Sequence, residues 1–195
     1  MRRAVSKSQK RDRIVDAAIR LFADADLSQV SMDDIARCAG VAKGTLYNYF
    51  RSKEDLYIEA IRHRFKKLVS LLERAFRTRR QPQRDLRSFI LHYEAFMRKH
   101  PHFFRLLQRS RTKPNYAASL EELDRNVATL LADVIRRGMR SGEFRNGSAD
   151  LRARLILGMI ERDVEHRINR RSRTPGVDGI MSFIRSGLVK KDVDA

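Results

Sequence analysis

The sequence SMDDIARCAGVAKGTLYNYFRSKED, residues 31–55, decides the fold of this chain. It predicts two short helices joined by a three-residue turn, followed by the capped start of a longer helix. Ser31 is expected to cap the first helix, and Gly40 to end it in the left-handed conformation. Leu46 and Phe50 lie one turn apart and predict a buried edge on the second helix. This arrangement is typical of a helix-turn-helix, which places its second helix in the major groove of DNA.

The exposed side of that second helix, Ala42 to about Tyr49, carries side chains suited to a DNA groove. A lysine can donate to guanine or to a phosphate, and tyrosine hydroxyls can donate to phosphates. A glycine lets the backbone approach the base edges because it has no Cβ. The alternative for Tyr47 is packing in the core. The predicted DNA contacts of this helix are Lys43, Gly44, Thr45, Tyr47, Asn48 and Tyr49.

Residues 33–56, DDIARCAGVAKGTLYNYFRSKEDL, preceded by RIVDAAIRLFADADLSQVSM, resemble the TetR family of bacterial transcriptional regulators. The resemblance covers about the first 60 residues; beyond them it is limited to helix layout, length and short phrases such as SGEF, 141–144. Ala42 departs from the family, which commonly has a Ser or Thr cap there. In the family the positions that match this second helix contact DNA. The position of Lys53 often contacts a phosphate, and the alternative for it is a solvated surface lysine.

The composition favours a helical protein of the cytoplasm. The 195 residues are 42% hydrophobic and 34% charged, with 4 Pro and without the alternating β-branched runs of strands. No apolar run reaches the roughly 18 residues that a membrane span needs. The basic amino terminus is not followed by the apolar stretch of a secretory signal. The single cysteine, Cys38, fits a reducing compartment and is expected to be a small packed residue.

The net charge of +18 indicates a polyanionic partner, either nucleic acid or an anionic membrane surface. The basic residues are not gathered opposite one exposed apolar face, so double-stranded DNA is favoured over a membrane. Residues 1–13 are strongly basic and directly precede the first predicted helix. An arm containing Arg2 and Arg3 could reach phosphates or the minor groove, or it could be a solvated tail. Arg2 and Arg3 join Ser31 and Lys53 in the predicted DNA-binding set.

Apolar spacing along the whole chain predicts an all-α fold of about nine helices. Residues 1–51 are expected to form an amino-terminal arm and a three-helix helix-turn-helix DNA-binding domain. Residues 52–195 are expected to form a helical ligand-binding and dimerisation domain, which begins with a long connecting helix capped by Ser52. The predicted helices are 12–23, two within 31–49, 52 to about 77, 85–100, a short one from 101, 116–141, 149–169 and one ending near 188. Breaks are expected at 77–83, 112–115 and 174–179.

The last two helices are the predicted dimer interface, from the family resemblance and from their apolar faces. Two copies of each would form a four-helix bundle across a two-fold axis. The stretch 161–171 is unusually charged for such a seam, so either salt bridges cross it or it lies on the surface. The predicted dimerisation residues are Leu151, Leu155, Met159, Val177, Ile180, Met181 and Ile184.

The family resemblance also implies a cavity for a small-molecule effector among the helices between 56 and 140. Aromatic residues at helical spacing are the material for such a cavity, although they are also typical of an ordinary core. His92, His100, His102, Arg105 and Arg109 supply polar chemistry for an anionic or acyl-type ligand. The predicted lining residues are Phe65, Tyr93, Phe96, Met97, Phe104, Leu107 and Leu123.

No metal site, cofactor or catalytic centre is predicted. The sequence lacks a glycine-rich phosphate loop, a Cys-x-x-Cys pair and a nucleophile elbow, so an enzyme is not favoured. The hypothesis is a cytoplasmic, homodimeric, ligand-responsive transcriptional regulator, a repressor released from a palindromic operator by its effector. The alternative is a nucleoid-associated or cell-division DNA-binding factor on the same fold, without a small-molecule effector.

Overall fold

The computed structural model of the protein describes residues 6–75, 81–170 and 176–188, excluding the side chains of residues 114, 115 and 117–119. Within these ranges the chain forms nine α-helices and one short 3-10 turn, which confirms the predicted all-α class. The helices are α1 (Lys7–Asp24), α2 (Met32–Ala39), α3 (Lys43–Tyr47), α4 (Lys53–Ala75), α5 (Pro82–Lys99), α6 (Pro101–Arg111), α7 (Pro114–Arg140), α8 (Ala149–Asn169) and α9 (Val177–Leu188).

The contacts within the chain divide it into two compact units that are not contiguous in sequence. The first unit contains Met1–Lys67 and His100–Glu121, and the second contains Leu68–Lys99 and Glu122–Ala195. The first unit therefore adds α6 and much of α4 to the three helices that precede residue 51. The functional boundary between residues 51 and 52 remains a prediction.

The first unit is built around α1, which packs against α2 and α6. Ile14, Ala18 and Phe22 recur at helical spacing along α1 and are almost completely buried. The helix begins at Lys7, five residues before the predicted start. Ser6 caps it, because its hydroxyl accepts from the amide of Gln9 at 3.1 Å while the Gln9 side chain accepts from the Ser6 amide at 2.9 Å.

A hydrogen-bonded pair ties α4 to α6 inside the first unit. The Tyr57 hydroxyl lies 2.7 Å from Ser110 Oγ, and the Ser110 hydroxyl donates to the carbonyl of Leu106 at 2.7 Å. Since Ser110 has a single hydrogen to donate, Tyr57 is the donor in the first of these bonds. Burial raises the pKa of Tyr57 above its ordinary value. The ring also stacks on Tyr116 at a centroid distance of 4.6 Å.

Ion pairs on the surface of the same unit join α6 to the end of α1. Arg105 donates to Asp24 at 2.8 Å, and Arg109 donates to Asp26 at 2.7 Å. Arg109 also donates to the carbonyl of Ala23 at 3.3 Å, which is one of the unsatisfied carbonyls at the end of α1. These contacts fix the carboxyl end of α1 against α6.

The second unit packs α5 against α8 and α9. Two buried carboxylates are part of this packing. Asp85 accepts from Arg137 at 2.7 Å, and Glu94 accepts from the amide of Gly176, the residue before α9, at 3.2 Å. Burying a carboxylate is unfavourable unless it is paired, and Arg137 pairs Asp85 directly. Arg98 lies 3.6 Å from Glu94 Oε1, whereas Glu94 Oε2 is buried without a hydrogen bond among the described residues.

Two proline positions correct the predicted helix starts. Pro82 begins α5 three residues before the predicted start at residue 85, and Pro114 begins α7 inside the predicted break at 112–115. Proline fits the first position of a helix, where its missing N–H has no partner to lose. In the other two predicted breaks, residues 77–80 and 174–175 lie outside the described residues.

Candidate nucleic-acid interface

The helix-turn-helix is held by caps at both ends of α2. The Ser31 hydroxyl accepts from the Asp34 amide at 3.1 Å, and the Asp34 carboxylate accepts from the Ser31 amide at 3.2 Å. Gly40 ends the helix with φ of 63°, as predicted. Arg13 of α1 donates to the carbonyl of Ala39 at 2.8 Å, which fixes the turn against the first helix.

The predicted packing of α3 is confirmed. Leu46 is fully buried and Phe50 is 2% exposed, so this edge faces the core. Asn48 is exposed on the other side, and Tyr47 is 47% exposed. Gly44 is also exposed, and a Cβ placed on it would meet no atom within 4 Å. The outer side of α3 is therefore open to a partner.

The helix itself is shorter than predicted. It spans Lys43–Tyr47, and Asn48 is its carboxyl-terminal cap. Ala42 offers no side-chain hydrogen bond at the amino-terminal end, as expected where a Ser or Thr cap is absent. Thr45 is half-buried.

Lys43 forms an ion pair that sequence reasoning missed. Its ammonium lies 2.9 Å from one carboxylate oxygen of Asp33 and 3.0 Å from the other. The hydrogen bond to Asp33 raises the pKa of Lys43 above its ordinary value. The two residues are ten positions apart on different helices, so no helical or strand period connects them.

Two predicted DNA contacts already have partners within the protein. The Tyr49 hydroxyl donates to the carbonyl of Lys7 at 3.2 Å and so holds the start of α1 beside the end of the helix-turn-helix. The Ser31 hydroxyl donates to Asp34 at 2.5 Å. The hydrogen bonds from Ser31 lower the pKa of Asp34 below its ordinary value. Both residues have clear structural roles, and their contact with DNA remains a prediction.

Of the remaining predicted DNA contacts, the structure describes only Lys53. Lys53 is the first residue of α4 and is half-buried. Arg2 and Arg3 lie outside the described residues.

Cys38 corrects the prediction of a small packed residue. It is exposed, beside the buried stripe of α2 that contains Ile35 and Ala39. Its sulfur lies 3.6 Å from the guanidinium of Arg20.

The predicted effector-lining residues are divided between the two units. Phe65, Phe104 and Leu107 are buried in the first unit, where Phe65 packs edge-to-face on Phe103 at 5.8 Å. The second unit contains the buried Tyr93, Phe96 and Met97 and the half-buried Leu123. The Tyr93 hydroxyl donates to Glu161 at 2.8 Å. A role of these residues in binding an effector remains a prediction.

The predicted dimerisation residues fall into two groups. Leu151 and Leu155 of α8 are 48% and 59% exposed, and Met159 and Ile180 are half-buried. Val177, Met181 and Ile184 of α9 are buried within the unit itself. Their packing is therefore already accounted for within one chain.

Phe183 is an apolar surface residue that sequence reasoning missed. It is 69% exposed, more than any other large hydrophobic side chain among the described residues. It lies beside the buried stripe of α9, so the periodic signal of that stripe does not include it. Within the charged stretch 161–171, the described ion pairs run along α8, from Arg162 to Glu165 and from Arg167 to Asp163.

In the part of the chain that the structure describes, no helix is long and apolar enough to cross a membrane. Over the same residues, no group of three or more His, Cys, Asp or Glu side chains is placed to hold a metal ion.

Similarity to known proteins assigns the chain to a family. Residues 14–60 match the profile of bacterial regulatory proteins of the tetR family, and residues 79–163 match a tetracyclin repressor-like carboxy-terminal domain. The fatty acid metabolism regulator protein of Bacillus subtilis is 25% identical over 161 residues, which cover 81% of this chain and 83% of that protein. The transcriptional activator FasR of Mycolicibacterium smegmatis is 28% identical over 162 residues, 82% of this chain and 71% of FasR.

The fold is also found among solved structures. The transcriptional regulator FadR of Bacillus subtilis, in complex with stearoyl-CoA, superposes with a TM-score of 0.81. The superposition covers 90% of this chain and 98% of that chain at 21% sequence identity. With a helix-turn-helix and both family profiles present, this chain belongs to the TetR family of bacterial transcriptional regulators.

Proposed function

We propose that the protein is a ligand-responsive repressor that binds a palindromic operator as a homodimer and is released by a small effector. The observation that carries this proposal is the open polar side of α3, held outward by the buried Leu46 and Phe50. A helix held in this way can enter the major groove without rearrangement of its own domain.

The DNA contacts follow from the chemistry of that side. Lys43 donates to guanine O6 and N7, and Tyr47 donates its hydroxyl to a phosphate. Gly44 lies between them along the helix and allows its backbone to approach the base edges. Lys53, in the first turn of α4, contacts a phosphate on the flank of the site.

A five-residue recognition helix reads few base pairs, so a second copy is needed for a specific operator. The proposed contact surface consists of Leu151 and Leu155 on α8 and Phe183 on α9, all exposed in one chain. Gly158 lies on the same face of α8 as Leu155, and a Cβ there would meet no atom within 4 Å. A glycine at such a place lets the helices of a second copy approach closely.

The proposed effector is a long-chain acyl-CoA thioester. The fatty acid metabolism regulator protein of Bacillus subtilis is similar in sequence to this chain, and FadR of the same organism is solved with stearoyl-CoA. The predicted lining of Tyr93, Phe96 and Met97 offers the apolar surface that an acyl chain requires. To release the repressor, the effector must bind the DNA-free form more tightly than the DNA-bound form.

The proposal is tested in two steps. First, a duplex is selected from a random library with the purified full-length protein, and its affinity is compared with that of a shuffled duplex by fluorescence anisotropy at moderate salt. Equal affinities would contradict sequence-specific regulation. Second, stearoyl-CoA is titrated into the complex with the selected duplex, with free CoA as the matched control. Stearoyl-CoA is expected to release the protein from the duplex, whereas free CoA is expected to leave the complex intact.

The net charge of +18 favours one second candidate, a DNA-organising protein without an effector. Such a protein would bind selected and shuffled duplexes alike and gain no thermal stability from stearoyl-CoA. A real effector raises the melting temperature by mass action, so a thermal-shift titration separates the two functions.

A further inference from the structure

The proposed recognition helix has a counterion within the protein. Lys43, its first residue, lies 2.9 Å from the carboxylate of Asp33 on α2. Both side chains are more than half exposed, at 60% and 53%. The pair therefore lies on the surface that the proposed function assigns to DNA.

The fold gives Asp33 a minor role, because it lies in the first turn of α2, where a carboxylate interacts favourably with the helix dipole. The capping box of α2 uses Ser31 and Asp34, and its buried side uses Ile35 and Ala39. Among the described residues, Lys43 is the only side chain that Asp33 contacts by a hydrogen bond or ion pair. An ion pair this exposed contributes little to stability, because water screens it. A negative charge on a DNA-binding surface also repels phosphates, so its presence there calls for a functional reason.

We propose that Asp33 is a specificity-determining residue that neutralises Lys43 on ordinary DNA and releases it only at the operator. The inference rests on the proposed function. On shuffled DNA no guanine is placed in register with Lys43, and binding a phosphate instead would leave the carboxylate of Asp33 unpaired near the backbone. At the operator, guanine O6 and N7 offer a bidentate acceptor that replaces the carboxylate. Asp33 thus lowers affinity for shuffled DNA more than affinity for the operator.

The experiment is a double-mutant cycle of the wild type, Asp33→Asn, Lys43→Gln and the double variant. Each full-length protein is titrated with the selected duplex and with its shuffled version by anisotropy, between 50 and 200 mM salt. Asparagine keeps the size of the side chain, and the capping residues stay in place. Melting curves of all four proteins check that the fold is retained.

On shuffled DNA, Lys43→Gln is expected to change the affinity less than twofold while Asp33 is present. In the Asp33→Asn background, the same substitution is expected to weaken binding about threefold or more at 200 mM salt. Freed from its counterion, Lys43 adds one phosphate contact, which steepens the salt slope by about 0.9 and changes affinity about threefold over this salt range. On the selected duplex, Lys43→Gln is expected to weaken binding about tenfold in both backgrounds.

The control is Glu54→Gln, which removes the same charge from the first turn of α4, where no ion pair of Glu54 is found among the described residues. It is expected to raise the affinity for the selected and the shuffled duplex by the same factor, whether or not Lys43 is present. The inference is overturned if Asp33→Asn behaves like this control, with an unchanged ratio of selected to shuffled affinity. A wild type that selects no duplex refutes the proposed function and, with it, this inference.

Discussion

At the scale of single residues, Gly44 is a position where the stability of the protein and its proposed binding of DNA favour different side chains. It is an exposed helical position with open space above it, so the fold does not require a glycine there. The proposed groove contact does require it, because a methyl group would lie between the backbone and the base edges.

Gly44→Ala is therefore expected to stabilise the protein slightly, by up to about 1 kcal/mol, because alanine favours a helix more than glycine does. The same substitution is expected to weaken binding to the selected duplex about tenfold, which corresponds to about 1.4 kcal/mol. Urea unfolding and anisotropy measure the two effects separately. Unchanged affinity would mean that this part of α3 does not approach DNA closely.

His63 of α4 is a second residue whose chemistry yields a prediction. Burial lowers its pKa, and the nearby Lys67 lowers it further, while Asp12 opposes the shift. Its Nε2 atom lies 2.8 Å from Asp12 Oδ1, although the pair is not aligned as a hydrogen bond. Arg11 lies on the other side of the ring, 3.4 Å from Nδ1. The folded protein therefore resists protonation of this ring.

Lowering the pH from about 7.5 to about 5.5 is expected to destabilise the protein through His63. Below the ordinary histidine pKa of about 6.5, the unfolded chain takes up a proton that the folded chain resists. The free energy of unfolding therefore decreases as the pH is lowered through this value. His63→Gln should lose less stability over this interval than the wild type does. Urea unfolding at both pH values measures the difference, and equal losses would contradict the assignment.

At the scale of secondary structure, local chemistry decided which helix ends could be predicted. Ser31, Ser52 and Ser148 each accept from the amide three residues later, as their sequence context predicts. The cap at Ser6 was missed because no apolar period begins until Ile14. The exposed side of α3 followed from its period, whereas the contacts Asp33–Lys43 and Tyr49–Lys7 depend on how separate helices pack and leave no periodic signal.

The α4–α6 connection gives a prediction at the same scale. Ser110→Ala is expected to cost about 1–3 kcal/mol, since it leaves the buried Tyr57 hydroxyl without an acceptor. Tyr57→Phe should cost less, and the double variant should cost less than the sum of the two. Tyr116→Phe is the control, because its ring stacks on Tyr57 and no hydrogen bond of its hydroxyl is found among the described residues. Additive losses in urea unfolding would rule out the bond.

At the scale of the whole molecule, the charge and the apolar surface point to different partners. The excess of positive charge suits DNA, whereas Leu155 and Phe183 leave apolar area exposed on one chain. Sequence reasoning predicted the helices of this surface. It assigned Met181 and Ile184 to the interface and left out Phe183, because which side of an apolar helix faces inward depends on α5 and α8.

Leu155→Glu combined with Phe183→Glu is expected to convert a dimer into a monomer, because it places like charges on both sides of a self-complementary interface. Binding to a palindromic duplex should weaken by at least about tenfold, while the helical content stays unchanged. Sedimentation equilibrium measures the assembly state. Asn126→Glu, on the exposed side of α7, is the control and should leave both properties intact. A dimeric double variant would place the interface elsewhere.

The most direct test of the central claim is the affinity of Lys43→Ala/Tyr47→Ala for the selected duplex, measured by anisotropy beside the wild type. Both side chains are exposed, so the melting temperature should stay within a few degrees of the wild-type value. If α3 reads the major groove, the double variant binds the selected duplex at least about thirtyfold more weakly, from the loss of two contacts of about 1–3 kcal/mol each. A folded double variant that binds it as tightly as the wild type would contradict the account.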